Sequence, residues 1–286
     1  WGEEPFEVWK AKTGRFMSEY GFQSYPELST IKKFALPEDL SIESAVLKNH
    51  QKHNRGVEII TKSMIQYFGE ADNFEDFIYL SQLVQAYGIG KAIEIHRRRM
   101  PYCMGSLYWQ LNDCWPVASW SSIDYFGNLK ALHYTVRDEF AQIIISTETV
   151  KNGEIPIYIV SDSLKDISGK VEIKLIDFRG AILYRDTLNS ITAKANASTL
   201  IVYSKIPEKF LKKTNDKVLV ISFFSTKNKL FARKIHYFEY PVNLNLNSPN
   251  ISIHTIRKNI QYIITLKSDF LAKGVYISTT TGIDGK

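Results

Sequence analysis

A carboxylate that closes a short apolar run is the first feature of this sequence able to do chemistry. Glu19 lies near the end of Gly14-Arg-Phe-Met-Ser-Glu-Tyr-Gly21, which reads as a buried strand stopped by a glycine. The C-terminal end of a strand is where an α/β barrel carries its catalytic groups, although a Glu there could equally belong to a surface ion pair. Tyr20 follows it and is taken as a supporting residue. Arg15 precedes it by four positions, so strand alternation turns both side chains inward together, and Arg15 could pair with a carboxylate. A second apolar run, Met104-Gly-Ser-Leu-Tyr-Trp-Gln-Leu111, ends in Asn112-Asp113. The Trp109 indole there suits stacking on the apolar face of a sugar ring, or core packing. Asn112 and Asp113 could hydrogen-bond sugar hydroxyls or simply turn the chain.

These residues need elements to hold them. Ser41 is expected to cap a helix that takes in Ala45, Val46 and His50, and Val57 to Phe68 continues in helical spacing. A longer helix opens after Asn73, with apolar residues at Phe74, Phe77, Ile78, Leu83, Val84, Tyr87 and Ile93, and runs to about Met100. Strand, long helix, strand is the βαβ rhythm of a parallel sheet, and a polar, aromatic loop after a strand suits the C-terminal face of a (β/α)8 barrel. Two such units cannot close a barrel, so the other strands are expected upstream of Trp1. From residue 142 the texture changes to short β-runs: 142–149, 155–161, 169–177, 181–188, 199–204, 217–225 and 230–238. Seven such runs without helical pattern predict an immunoglobulin-like β-sandwich. Tyr240 to Pro249 reads as a linker, and 251–257, 261–267 and 274–279 as opening strands of another sandwich. The fold class is therefore α/β plus all-β: residues 1–141 the end of a barrel, 142–240 a sandwich, and 241–286 a linker with an incomplete second sandwich.

Composition narrows the function. With 44% hydrophobic and 23% charged residues the chain has the balance of a soluble globular protein. The net charge of +6 is scattered, which argues against a nucleic-acid groove. The dense run His96-Arg-Arg-Arg99 is read as cations favoured at a helix C-terminus. All five Trp lie in the first 120 residues. Cys103 and Cys114 make neither a disulfide framework nor a CxxC metal motif, and His50 and His53 lack a third ligand, so no metal is expected. No apolar stretch is long enough to cross a membrane. The N-terminus has no initiator Met and no signal-peptide pattern, so the chain is expected to start in mid-protein.

The segment Gly14-Arg-Phe-Met-Ser-Glu-Tyr-Gly-Phe-Gln-Ser-Tyr-Pro26 resembles the nucleophile segment of β-mannosidases in glycoside hydrolase family 2. Met104-Gly-Ser-Leu-Tyr-Trp-Gln-Leu-Asn-Asp-Cys-Trp-Pro116, Ala118-Ser-Trp-Ser-Ser-Ile-Asp124 and Lys130-Ala-Leu-His-Tyr134 resemble that family's last barrel strand and the loop after it. The resemblance continues more faintly through the sandwich to Val275-Tyr-Ile-Ser278 and Gly282-Ile-Asp-Gly285, and so spans essentially the whole chain. It implies a retaining exo-β-mannosidase that uses two carboxyl groups and no cofactor, acting on β-mannosides, manno-oligosaccharides or glycans. Glu19 matches the nucleophile, and Trp109 matches a Trp lining the pocket of the terminal sugar. The family's acid/base Glu follows an Asn on an earlier strand. No Asn-Glu pair occurs here, so the isolated chain is expected to be inactive without the upstream barrel. Rival readings are another family 2 specificity, such as β-galactosidase or β-glucuronidase, and a non-catalytic carbohydrate-binding fragment. Family members are lysosomal or bacterial periplasmic and secreted; the Lys-, Ile- and Asn-rich composition points to the bacterial group.

Overall fold

The computed structural model describes residues 4–151, 153–203 and 205–277. Its first half contains β1 (Met17–Tyr20), the short helices α1 (Leu28–Ile31) and α2 (Ala45–Asn49), α3 (Gly56–Tyr67), the long α4 (Phe74–Arg98), β2 (Ser106–Tyr108) and α5 (Ala131–Glu139). β1 and β2 pair in parallel, with α4 as the crossover between them, so the βαβ rhythm read from the sequence is present. The two strands form an open sheet rather than a closed barrel. Both are shorter than their apolar runs, because the chain bends away at each end to make loops.

Helix α4 owes its start to Asn73, whose side chain accepts the Asp76 N–H at 2.9 Å, with Glu75 and Asp76 beside the positive end of the helix dipole. Its apolar stripe (Phe77, Ile78, Val84, Ile89, Ile93) is buried with Tyr20, Ile60, Met64, Tyr67 and Leu132 in one core. Gly90 permits α4 and α5 to cross closely: a Cβ there would lie 2.5 Å from Thr135 Cγ2. The cap of α2 is Ser44, which accepts the Leu47 N–H at 3.1 Å. Ser41, expected in that role, instead accepts the Glu43 N–H in the preceding turn. Among the described residues no helix is long and apolar enough to cross a membrane.

The second half is a sandwich of β3 (Ile143–Thr147), β4 (Ile155–Ser161), β5 (Ile167–Asp177), β6 (Ile182–Ala193), β7 (Ala197–Tyr203), β8 (Lys217–Ser225) and β9 (Leu230–Tyr237). Sheet β3-β4-β7 faces sheet β6-β5-β8-β9, all neighbours antiparallel. Alternate residues point inward, among them Ile155, Ile157 and Ile159 from one sheet and Val171, Ile173, Leu175, Leu219, Ile221 and Phe223 from the other, all with 0% exposure. Each such side chain contributes roughly 1.5–3 kcal/mol. This is the immunoglobulin-like fold expected from the β-runs, although β6 extends five residues past the Leu188 end of its run.

The hairpin β10 (Ile251–Lys258) and β11 (Gln261–Ser268) follows a turn at Pro241–Asn243. The third strand expected at 274–279 is not one over 274–277, and 278–279 lie outside the described residues. Residues 271–277 run back over both halves instead: Leu271 N–H donates to Phe178 O of the sandwich at 2.7 Å, and Tyr79 OH of α4 donates to Gly274 O at 2.5 Å.

The basic run at the end of α4 does more than complement a dipole. Arg97 donates to the Glu139 and Ala141 carbonyls at 2.6 and 2.7 Å and to Asp162 Oδ2 at 2.8 Å. Arg98 donates to Ser146 Oγ and Thr147 O, each at 3.0 Å. Strand β3 is buried on both faces, because Ile144 and Ser146 turn away from the sandwich core. Glu94 accepts from Ser146 Oγ at 2.8 Å and from Lys234 Nζ at 2.7 Å, and Lys234 also reaches Glu139 at 3.1 Å. Burial opposes charge on Glu94, but Lys234 and the Ser146 hydroxyl outweigh it and hold the carboxyl below the usual range. Lys234→Met strands that carboxylate and is expected to cost about 3–5 kcal/mol in urea unfolding, much of it recovered by adding Glu94→Gln. Burial also pushes His96 and His236 down to about 4 from 6.5. The unfolded chain takes up these protons below about pH 6.5 and the folded chain only near pH 4, so stability is full above that window and falls within it. The urea midpoint should drop from pH 7 to pH 5, and drop less in His236→Gln.

Candidate active site

Glu19 owes its direction to a bulge. Met17 pairs with Ser106 and Tyr20 with Tyr108, so three steps along β1 oppose two along β2. Met17 and Tyr20 therefore both turn toward the helices, while Ser18 and Glu19 are both exposed on the open side. Tyr20, only 2% exposed, shares a 2.6 Å hydrogen bond with Ser106 Oγ, which in turn lies 2.9 Å from His96 Nδ1 on α4. It anchors β1 from the side opposite Glu19. The alternation expected to carry Arg15 to Glu19's side is interrupted here. Arg15 lies in a bend before β1, its guanidinium 5.3 Å from the Tyr102 ring centroid.

On β2, Ser106 and Tyr108 face the helices, the Tyr108 hydroxyl 2.8 Å from Ser122 Oγ. Alternation then puts Leu107 and Trp109 on the other side, and they are 56% and 45% exposed. Glu19 and Trp109 thus share the open face of the sheet. Their strand ends are tied by Trp109 N–H donating to Tyr20 O at 2.7 Å. Gly21 makes this contact possible, since a Cβ there would lie 2.4 Å from Trp109 O and 3.0 Å from Trp120 Cδ1. The Trp109–Gln110 peptide is cis.

Beyond the strands, the loop after β1 and the loop after β2 are laced together. Ser24 and Ser119 exchange backbone hydrogen bonds of 2.9 and 3.2 Å. Gln85, buried in α4, donates to Phe22 O at 2.8 Å and Ser121 O at 3.3 Å and accepts from Ser24 Oγ at 2.6 Å. Asp113 is buried. One carboxylate oxygen accepts from Ser119 Oγ at 2.8 Å and Ser121 Oγ at 2.5 Å; the other takes Gln110 Nε2 at 3.2 Å and faces Lys52 Nζ at 3.6 Å. Of the two readings open for Asp113, the geometry favours organising the loop. Asn112 is exposed, and its carbonyl accepts from Gln110 Nε2 at 2.8 Å. His50 stacks on Phe34 at 4.0 Å with Nδ1 2.6 Å from Pro116 O, and His53 packs edge-on to Trp120. A wide cavity of about 570 Å³ lies elsewhere, between α4, α5 and β9, lined by Tyr87, Glu94, Glu139, Lys234 and Tyr240; no residue of β1 or β2 touches it. Gln85 was legible only as a polar residue within an apolar helical stripe, and Lys130, fully buried beneath the loops, gave no periodic signal at all.

A family model described as a Mannosidase Ig/CBM-like domain matches residues 153–241. The β-mannosidase of Rattus norvegicus is 31% identical over 292 residues, covering 95% of this chain and 32% of that protein. β-Mannosidase A of Neosartorya fischeri is 30% identical, covering 84% of this chain and 30% of that one. The β-D-mannosidase structure from Dictyoglomus thermophilum superposes with a TM-score of 0.81 at 30% identity, over 94% of this chain and 33% of that one. Over most of its length the chain is similar to β-mannosidases of glycoside hydrolase family 2. It represents a C-terminal portion, the end of a barrel followed by the immunoglobulin-like sandwich, and spans about a third of the length of the curated relatives it matches. An exo-chitosanase from Amycolatopsis orientalis superposes at 15% identity with a TM-score of 0.68, a likeness of fold alone. Gly21→Ala is expected to push the two strand ends apart. A loss of about 1–3 kcal/mol in urea unfolding, with a shift in Trp fluorescence, would report it.

Proposed function

We propose that the full-length protein is a retaining exo-β-mannosidase that removes terminal β-linked mannose, with Glu19 as nucleophile. The observation that carries the reading is the shared open face of Glu19 and Trp109, each at the C-terminal end of a parallel strand, within segments that resemble the family's nucleophile and pocket motifs. In double displacement the Glu19 carboxylate attacks the anomeric carbon and forms a glycosyl ester. The leaving oxygen takes a proton from a second carboxyl about 5–5.5 Å away, which then draws a proton from the water that cleaves the ester. That second group would come from an earlier barrel strand. Trp109 would floor the pocket of the terminal sugar, excluding water and stacking on the ring, with Asn112 free at the loop surface to meet a hydroxyl. Asp113 and Tyr20 would act by fixing the loop and the strand, and Arg15 from the bend before β1. The corresponding domain limits are 1–141, 142–240 and 241–286.

In the full-length protein, Glu19→Gln should lower hydrolysis of an aryl β-mannoside by about a thousand-fold or more, and a fluorosugar that traps the glycosyl ester should label the peptide containing Glu19. Near-normal turnover in that variant would overturn the assignment. Faster hydrolysis of the aryl β-galactoside than of the β-mannoside would favour the β-galactosidase reading.

A further inference from the structure

We propose that Lys130 is the positioning residue of this site: its buried ammonium clamps the loop that follows Glu19 to the loop that follows Trp109. The inference rests on the β-mannosidase reading for its substrate and on geometry for everything else. Lys130 has 0% exposure, and its Nζ donates to Ser24 O at 3.2 Å and Ser119 O at 3.3 Å. Those two carbonyls are the ones that Ser24 and Ser119 exchange with each other's N–H groups. One ammonium therefore sits on both acceptors of the Ser24–Ser119 backbone bridge joining the two loops.

That is an expensive way to fill space. Lys130 stands at the N-cap of α5, where the helix dipole disfavours a cation, and desolvating an ammonium costs several kcal/mol. A Met of similar length would pack there without either penalty. Burial pulls the Lys130 ammonium down to about 7, and attraction from Asp113, Asp124 and Glu27 offsets only part of that. These carboxylates are distributed between the same two loops. Asp113 is oriented by the Ser119 and Ser121 hydroxyls, and Asp124 by Thr30 Oγ1 and by Asn128 Nδ2 at 3.0 Å. Backbone contacts close the arrangement: Lys130 N–H donates to Ser122 O at 2.9 Å, and Ala131 N–H to Gln82 Oε1 of α4 at 3.1 Å. The charge thus specifies where two loops meet, and the loops begin at Tyr20 and Trp109. Neither sugar nor reacting atoms need touch Lys130.

The test uses the full-length protein carrying Lys130→Met, beside a comparator, Ile173→Ala, that weakens the sandwich core. On an aryl β-mannoside, Lys130→Met should lose about 100-fold in kcat with little change in KM, the size expected for a misplacement near 1 Å. Ile173→Ala should keep kcat near the wild-type value despite its lower Tm. Amide exchange at residues 20–25 and 108–122 should quicken in Lys130→Met and not in Ile173→Ala. Unchanged kcat together with unchanged exchange in Lys130→Met overturns the proposal. If Lys130→Met does not fold, Asp124→Asn, which weakens the same attraction, should lower kcat about 10-fold, and normal kcat there overturns it. Should wild type prefer another aryl β-glycoside, the mannosidase reading falls and the same kcat ratios on that glycoside judge Lys130.

Discussion

The packing of α4 governs almost every other feature. Its middle must bury an apolar stripe against β1, α3 and α5, while its last turns must bury Glu94, His96 and Arg97. Apolar burial is indifferent to direction, but a desolvated carboxylate is not. Glu94 demands Lys234 from β9 and Ser146 from β3, and Arg97 demands Asp162 and two carbonyls. The sandwich is therefore held at one end of the helix by polar contacts with defined geometry, in addition to the chain connection through α5. From the middle of the helix, Gln85 reaches both loops of the candidate site. One helix carries both the docking of a domain and the alignment of two strand ends.

Much of this was legible because it is periodic. The α4 stripe, the parallel pair and the seven sandwich strands follow from apolar spacing of about 3.6 and of 2. The limits of β4 and β8 coincide with their apolar runs, since turn residues bracket them. What escaped is aperiodic. The bulge between Met17 and Tyr20 leaves no mark in composition, and strict alternation therefore misdirected Arg15. The α2 cap moved from Ser41 to Ser44 because both are serines with comparable followers. The role of His96-Arg-Arg-Arg99 depended on a partner strand some fifty residues away.

The candidate site shows the same division. Glu19 and Trp109 could be singled out from strand ends and from the family resemblance. Their support could not. Ser24, Ser119, Ser121, Gln85 and Lys130 are polar residues whose importance comes from burial, and burial of a polar group cannot be read from its identity. Asp113 illustrates the point: its type suits a sugar ligand, yet both its oxygens face protein partners.

The bulge in β1 also makes the site sensitive to residue count rather than to residue kind. Met17 and Tyr20 are both anchored, one in the core and one on Ser106, with two residues spanning a gap that regular pairing fills with one. Substituting Ser18 leaves this spacing intact. Removing it would restore plain pairing and leave Glu19 as the single outward residue, shifted along the strand. The strand thus behaves as a length gauge, tolerant of exchanges and intolerant of insertions and deletions.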